Sequence, residues 1–392
     1  MIGLDDLLAP MSRETFLRDH YRKRPIVIPA STLREGIFSY AAFNDMLAQT
    51  AIWTPATLKV WIDRMAVPAA RYCTMTPTLN GEELRPDPEK IRAWMARGAS
   101  VILNGAETLT PQFRAVAATL ERAFCGYAVA NIYFSFGAHQ AFDSHYDDHE
   151  VFAMQIAGEK VWRVYAGRLD NPVGQPQQGP NVQAMHDRAK GAVLFEHRLA
   201  PGELIYIPRG QYHDALATTS ASLHVTFSVQ PLTGLALLDA LTKEAARESA
   251  FRDDLPASED ALAGRLAELG VRLTEMSRSG DVLKRVLEAQ RARVRPRGEF
   301  SLPERPATTR YALVSPNLRV GQAGDVCVIT NGRDQAKFAP DMVTVCQWMV
   351  AASDFTLLEA RAQFPWTPER DMIALLDSLT AANIFTAHPT TD

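Results

Sequence analysis

Cysteine is scarce and scattered in these 392 residues. Cys73, Cys125, Cys327 and Cys346 form no Cys-x-x-Cys pair and have no histidine at zinc-finger spacing, which argues against a structural zinc module. Isolated thiols of this kind point to a reducing compartment rather than a disulfide framework. Long apolar runs are also missing. No stretch approaches an uninterrupted membrane span, and the opening MIGLDDLLAPMSRET lacks the basic-then-apolar pattern of a secretory leader, so the expectation is a cytoplasmic chain with no membrane partner. Nor does charge of one sign dominate. Lys and Arg total 41 against 45 Asp and Glu, and a net charge of −4 gives no global pull toward nucleic acid or an anionic membrane.

What is present is the composition of an ordinary globular protein, with 47% hydrophobic and 22% charged residues, in a chain too long for one ordinary domain. Three textures follow one another. Up to residue 234, a helical and strand-bearing start leads into a β-rich run, with helices expected at 40–49, 87–95 and 110–124. Within that run AVANIYFSF, EVFAMQIAG, KVWRVYAG, AVLFEHRLA, LIYIP and SLHVTFSVQ recur between Gly, Pro and polar turns, the pattern of a sandwich or barrel. Gly158-Glu159 reads as a hairpin turn, and the polar stretch 168–190 reads as a lid or binding loop.

Residues 235–304 read as amphipathic helices ending in a basic, proline-bearing linker, and an unenclosed helical connector suits a homodimer surface. Residues 305–392 combine short strands with three helices, in the manner of a winged-helix module. Seven acidic residues (Asp341, Asp354, Glu359, Glu369, Asp371, Asp377, Asp392) face only Arg361 and Arg370 beyond Pro340, which argues against DNA binding.

The chemistry concentrates in NIYFSFGAHQAFDSHYDDHEVFAMQIAGEK, residues 131–160. Side chains two apart on an extended segment share a face, so His145 and Asp147 can hold one cation while Tyr146 turns away. On its own a His-x-Asp pair is also an ordinary polar strand end. A third ligand changes its meaning, and His213 in IYIPRGQYHDA is the candidate, delivered by a turn that ends a strand. Two histidines and one carboxylate occupy one face of an octahedron and leave positions open, the arrangement of non-haem Fe(II) oxygenases. Lys160 opens the next strand and can supply a cation to the far carboxylate of a 2-oxo acid, with the Tyr133 hydroxyl beside it.

Four motifs in order, NIYFSFGAHQAFDSHYDD, QIAGEKVWRVY, IYIPRGQYHDA and SLHVTFSVQ, resemble those of the JmjC-domain oxygenases, and among them the ribosomal-oxygenase (cupin-4) group. The resemblance extends from FLRDHYRKRPIVI through the β core and more loosely beyond it. It implies a mainly β core of double-stranded β-helix (cupin or jelly-roll) type, followed by a helical dimerisation segment and a winged-helix-like domain. It implies Fe(II) bound by His145, Asp147 and His213, 2-oxoglutarate as co-substrate held by Lys160 with Tyr133, and O2 as oxidant. Asn131, His224 and Ser228 match positions lining that pocket, and Asp148 and Gln140 stand where they can orient ligands or substrate. Ser144 stands where the family usually has proline before the His-x-Asp.

The reading is therefore a 2-oxoglutarate-dependent dioxygenase that hydroxylates a side chain of a protein, ribosomal or otherwise, or of a peptide. Removal of an N-methyl group from lysine is open to the same site chemistry. The rivals are a cupin-type ligand sensor with a DNA-binding output and a metal-dependent cupin isomerase or hydrolase.

Overall fold

The computed structural model describes residues 2–79, 81–136, 142–174, 180–217, 221–293, 307–314, 318–330 and 335–388. Two compact units divide the chain, Met1–Arg297 and Gly298–Asp392. The strands of the first are β1 Ile26–Ile28, β2 Leu58–Ile62, β3 Met65–Ala66, β4 Cys73–Thr78, β5 Gly81–Pro86, β6 Ser100–Asn104, β7 Gly126–Phe136, β8 Glu150–Ala157, β9 Lys160–Arg168, β10 Val193–Leu199, β11 Leu204–Ile207, β12 Gln211–Ala217 and β13 Ala221–Pro231. Eight of them form one sheet in the order β1-β11-β8-β13-β7-β6-β2-β3, and β10-β9-β12 form a second.

Strand periodicity explains how two sheets share the chain's side chains. Along β13, Leu223, Val225, Phe227 and Val229 enter the main core, whereas His224, Thr226 and Ser228 line a cavity. Along β7, Ala130, Ile132 and Phe134 enter the same core, and Asn131, Tyr133 and Ser135 line the cavity. The core side of the large sheet is covered by the helix Pro111–Phe124, which buries Phe113, Val116, Ala117, Leu120 and Phe124. Thr110 caps that helix by accepting the Phe113 N–H, and Phe113 meets the Phe227 ring edge-on at 5.8 Å. A smaller apolar cluster, including Val151, Ala153, Trp162, Val164 and Ile205, fills the space on the other side of β8. This is a mostly β cupin-type fold with helices, as expected.

Two expectations are corrected. Gly158-Glu159 does not close a hairpin. β8 pairs with β11 and β13, β9 pairs with β10 and β12, and the turn, with Gly158 at φ +62°, carries the chain from one sheet to the other. Alternating side chains on two successive strands look the same in sequence whether the strands pair or face each other. The second correction concerns 168–190, which contains a helix, Pro180–Ala189. Its signals are local: proline as the first helical residue, and Gly191 at φ +69° just past the end. Within the same stretch, residues 175–179 lie outside the described residues.

The connector contributes the helices Leu235–Ala245, Glu259–Ser277 and Gly280–Arg293. The second runs unbroken through Gly270 and ends before Gly280. In the other unit β14 Arg310–Leu313, β15 Arg319–Ala323, β16 Val326–Thr330, β17 Gln335–Phe338, β18 Asp354–Thr356 and β19 Phe385–His388 make two three-stranded sheets, β18-β14-β19 and β15-β16-β17. Helices Val343–Ala352, Leu357–Gln363 and Glu369–Ala381 close a separate core containing Tyr311, Cys327, Cys346, Phe355, Leu376 and Phe385. Among the described residues no helix is long and apolar enough to cross a membrane.

Candidate functional site

A cavity of about 750 Å³ opens between the two sheets. His145 reaches it from the segment before β8, where it forms an isolated antiparallel bridge with His213 rather than a continuous strand. His145 N–H donates to the His213 carbonyl (3.0 Å), and His213 N–H to the His145 carbonyl (2.9 Å). Gly210 N–H donates to the Asp147 carbonyl at 2.8 Å, extending the pairing by one more bond. The extended backbone turns His145 and Asp147 into the cavity, while Tyr146 is buried against Tyr165 and Tyr212 and reaches the cavity wall beside His186.

The ligand atoms of His145, Asp147 and His213 all lie within 4.8 Å of one another. Asp147 Oδ2 is 3.5 Å from His213 Nε2, and the two imidazole centroids are 4.6 Å apart. The tautomers are set by neighbouring carbonyls. Nδ1 of His145 lies 2.7 Å from the Asp143 carbonyl and Nδ1 of His213 lies 3.0 Å from the Gln211 carbonyl, so each Nδ1 carries the proton and each Nε2 keeps its lone pair. Electrostatics favour the binding forms. Burial, with the nearby His145, pushes His213 down to about 4, which keeps it neutral. Burial would raise Asp147, but the imidazoles of His149, His145 and His213 outweigh it and hold the carboxyl below its ordinary value.

Lys160 is buried at the start of β9 and reaches toward Ser135 Oγ at 3.5 Å. Ser135 Oγ in turn lies 3.1 Å from Ser100 Oγ. No carboxylate among the described residues pairs with Lys160, and burial alone pushes its ammonium down to about 7. Tyr133 stacks on His224 with centroids 4.8 Å apart and planes 6° from parallel. Burial, with the Asp147 charge, pushes the Tyr133 hydroxyl up to about 12, so it remains a donor. Burial, then Lys160, holds His224 well below its usual value, and its Nδ1 is buried with no hydrogen-bond partner among the described residues. Asn131 accepts the Gly105 N–H at 3.2 Å, and Ser228 lines the cavity wall. Asp148 is half-buried beside the ligands and is not among the cavity-lining residues. Gln140 lies outside the described residues.

Several cavity residues were not singled out from sequence. Trp162 stacks on His213 at 6.0 Å and meets the His224 edge at 5.6 Å, with its indole N–H buried and unpartnered among the described residues. Its position two residues after Lys160 on the same strand face was the available signal. His149 places Nε2 3.9 Å from Asp147 Oδ1. Helix Pro180–Ala189 brings Val182, Gln183 and His186 to the wall, and the β2–β3 hairpin brings Trp61 and Arg64. Those segments are remote in sequence and carry no motif.

The donor set suits a hard or borderline divalent cation. Two Nε2 lone pairs and one carboxylate converge, while the buried Nδ1 of His224, the Trp162 N–H and the Lys160 ammonium leave polar valences for an oxygen-rich ligand beside it.

Residues 108–237 match the JmjC domain family. The chain is similar to a Drosophila persimilis protein named bifunctional lysine-specific demethylase and histidyl-hydroxylase NO66, with 32% identity over 226 residues, 57% of this chain and 31% of that one. It is also similar to ribosomal oxygenase 1 of Danio rerio, with 27% identity over 272 residues, covering 69% and 48% of the two chains. It thus spans less than half the length of these curated relatives. A solved structure of the Escherichia coli ribosomal oxygenase YcfD, in complex with cobalt and 2-oxoglutarate, aligns over 97% of this chain and 99% of that one, at 16% identity and a TM-score of 0.49. The stretch that matches the JmjC domain family includes the strands that gather His145, Asp147 and His213.

Proposed function

We propose that this protein is an Fe(II)- and 2-oxoglutarate-dependent oxygenase that hydroxylates a side chain of a protein or peptide. The observation carrying the reading is the pairing of two features in one cavity: a His-Asp-His cluster within 4.8 Å, and a buried lysine with no acidic partner among the described residues. A bare metal site has no use for such a lysine, whereas a dicarboxylate co-substrate does. His145, Asp147 and His213 would hold the iron, and Lys160 would take the distal carboxylate with Tyr133 beside it. Iron with 2-oxoglutarate and O2 supplies the oxidation, with succinate and CO2 as co-products.

The chain's own residues do the rest. The carbonyls of Asp143 and Gln211 fix the imidazole tautomers, the apolar cluster between the sheets excludes water, and the Trp61, Gln183 and His186 rim positions one substrate group over the metal face. The relatives' names include both a hydroxylase and a lysine demethylase. The Trp61–Phe142 ring pair, 4.9 Å apart at the cavity wall, favours demethylation as a second reading, because aromatic faces attract methylated ammonium groups.

We further read 1–234 as the oxygenase domain, 235–304 as a homodimerisation segment and 305–392 as a winged-helix-like domain that does not bind DNA, in a cytoplasmic protein. Comparative mass spectrometry of host proteins with and without the chain tests the activity. A gain of about 16 Da on one residue supports hydroxylation, a loss of about 14 Da supports demethylation, and no Fe(II)-dependent succinate from 2-oxoglutarate sinks both.

A further inference from the structure

Behind the ligands, on the face turned away from the cavity, lies a second set of polar contacts. Ser144 precedes His145 and Asp214 follows His213, so alternation turns both side chains outward from the site, and both are buried. Ser144 Oγ–H donates to Asp214 Oδ2 at 2.8 Å, across the same bridge that pairs the two histidines. Tyr165 OH donates to the same carboxylate oxygen at 2.6 Å. Lys190, just past the helix Pro180–Ala189, donates to Ser144 Oγ at 3.1 Å and lies 5.0 Å from the Tyr165 ring centroid. Gln183, on that helix, donates to the Ser144 carbonyl at 3.3 Å.

On the backbone, this register is held by the two His145–His213 hydrogen bonds and by the Gly210 N–H on the Asp147 carbonyl. The bridge is isolated, and the β12–β9 ladder slips between Gln211 and His213. A slip of one residue would turn His145 and Asp147 out of the cavity and bring Ser144 in. A buried hydrogen bond to a carboxylate is among the stronger ways to prevent that.

We propose that Ser144, Asp214 and Lys190 form a brace that fixes the two ligand-bearing segments against each other and ties the cavity-wall helix to them, making Ser144 a positioning residue for metal binding. This rests on the metal reading of His145, Asp147 and His213. The Asp143 carbonyl that holds His145 belongs to the residue before Ser144, so a loosened Ser144 also loosens the imidazole's partner.

The test is anaerobic titration of the full chain with Co(II), following the ligand-field absorption. Ser144→Ala and Asp214→Asn should weaken Co(II) binding about tenfold and alter the band intensity, Lys190→Met should weaken it a few-fold, and Ser144→Thr, which keeps the hydroxyl, should bind as the unaltered chain does. Melting of the metal-free forms reports folding separately. Ser144→Ala and Lys190→Met proteins that bind Co(II) with unaltered affinity and spectrum would overturn the brace. Should Ser144→Ala not fold, Lys190→Met decides alone, because its side chain is near the surface. His145→Ala distinguishes the two levels: if it binds Co(II) as well as the unaltered chain, the metal reading fails, and the brace with it.

Discussion

Lys160 holds its ammonium buried in the cavity wall, with no carboxylate beside it among the described residues. With its folded pKa near 7 against about 10.4 for a free lysine, the unfolded chain binds more protons between these values, and the ligand-free protein gains stability as pH rises through that window. The cost below pH 7 is on the order of 4 kcal/mol. Lys160→Met should therefore raise the melting temperature of the metal-free protein at pH 7 and flatten its pH dependence, while weakening 2-oxoglutarate binding at least tenfold and leaving Co(II) affinity intact. A lower melting temperature in calorimetry would contradict the assignment of Lys160 as an uncompensated charge. Because the anion needs the protonated amine, 2-oxoglutarate affinity should hold below pH 7 and fall above it, with proton uptake visible as a buffer-dependent heat of binding. The ligands themselves predict a simpler result. Substituting alanine at His145, Asp147 or His213 should abolish Fe(II)-dependent succinate formation, measured directly by product assay.

At the scale of elements, turns and crossings position the site. Gly210 has φ +83°, and a Cβ there would overlap the Leu169 carbonyl oxygen, while its N–H holds the Asp147 carbonyl. Gly210→Ala should cost about 2 kcal/mol or more of stability and weaken metal binding together, readable as a lower melting midpoint and a higher Co(II) dissociation constant. What was legible in the sequence follows the range of the physics. Period-2 alternation within one strand is local, so β7, β8, β9 and β13 could be read directly, and His145, Asp147, Lys160 and His224 could be placed on strand faces. Which strands pair is not local, so β8 and β9 looked like a hairpin although they lie in facing sheets. The helix Pro180–Ala189 had readable ends, Pro180 and Gly191, but its polar composition masked them. Gln183 and His186 reach the cavity only through tertiary packing, which no spacing encodes.

For the whole molecule, the two units have separate cores, so a chain ending at Arg297 should fold and bind Co(II) with the affinity of the full protein. Loss of binding on that truncation, checked by the same titration, would show that the second unit supports the site. Exposed Leu238, Leu266 and Leu283 on the connector helices suit the proposed homodimer. Leu238→Glu with Leu283→Glu should halve the mass seen in light scattering and leave cobalt binding unchanged. The acidic excess beyond Pro340 predicts no measurable affinity for duplex DNA at physiological salt.

The crossing at Gly158 also bears on time. Because consecutive strands lie in opposite sheets, the ligands meet only after segments some 65 residues apart have closed on one another, and contacts of that span form slowly. The folding chain must travel most of its route before a metal has anywhere to sit. A cation held by them would act less as a template than as a lock on the finished fold, slowing escape from the folded state far more than it hastens arrival.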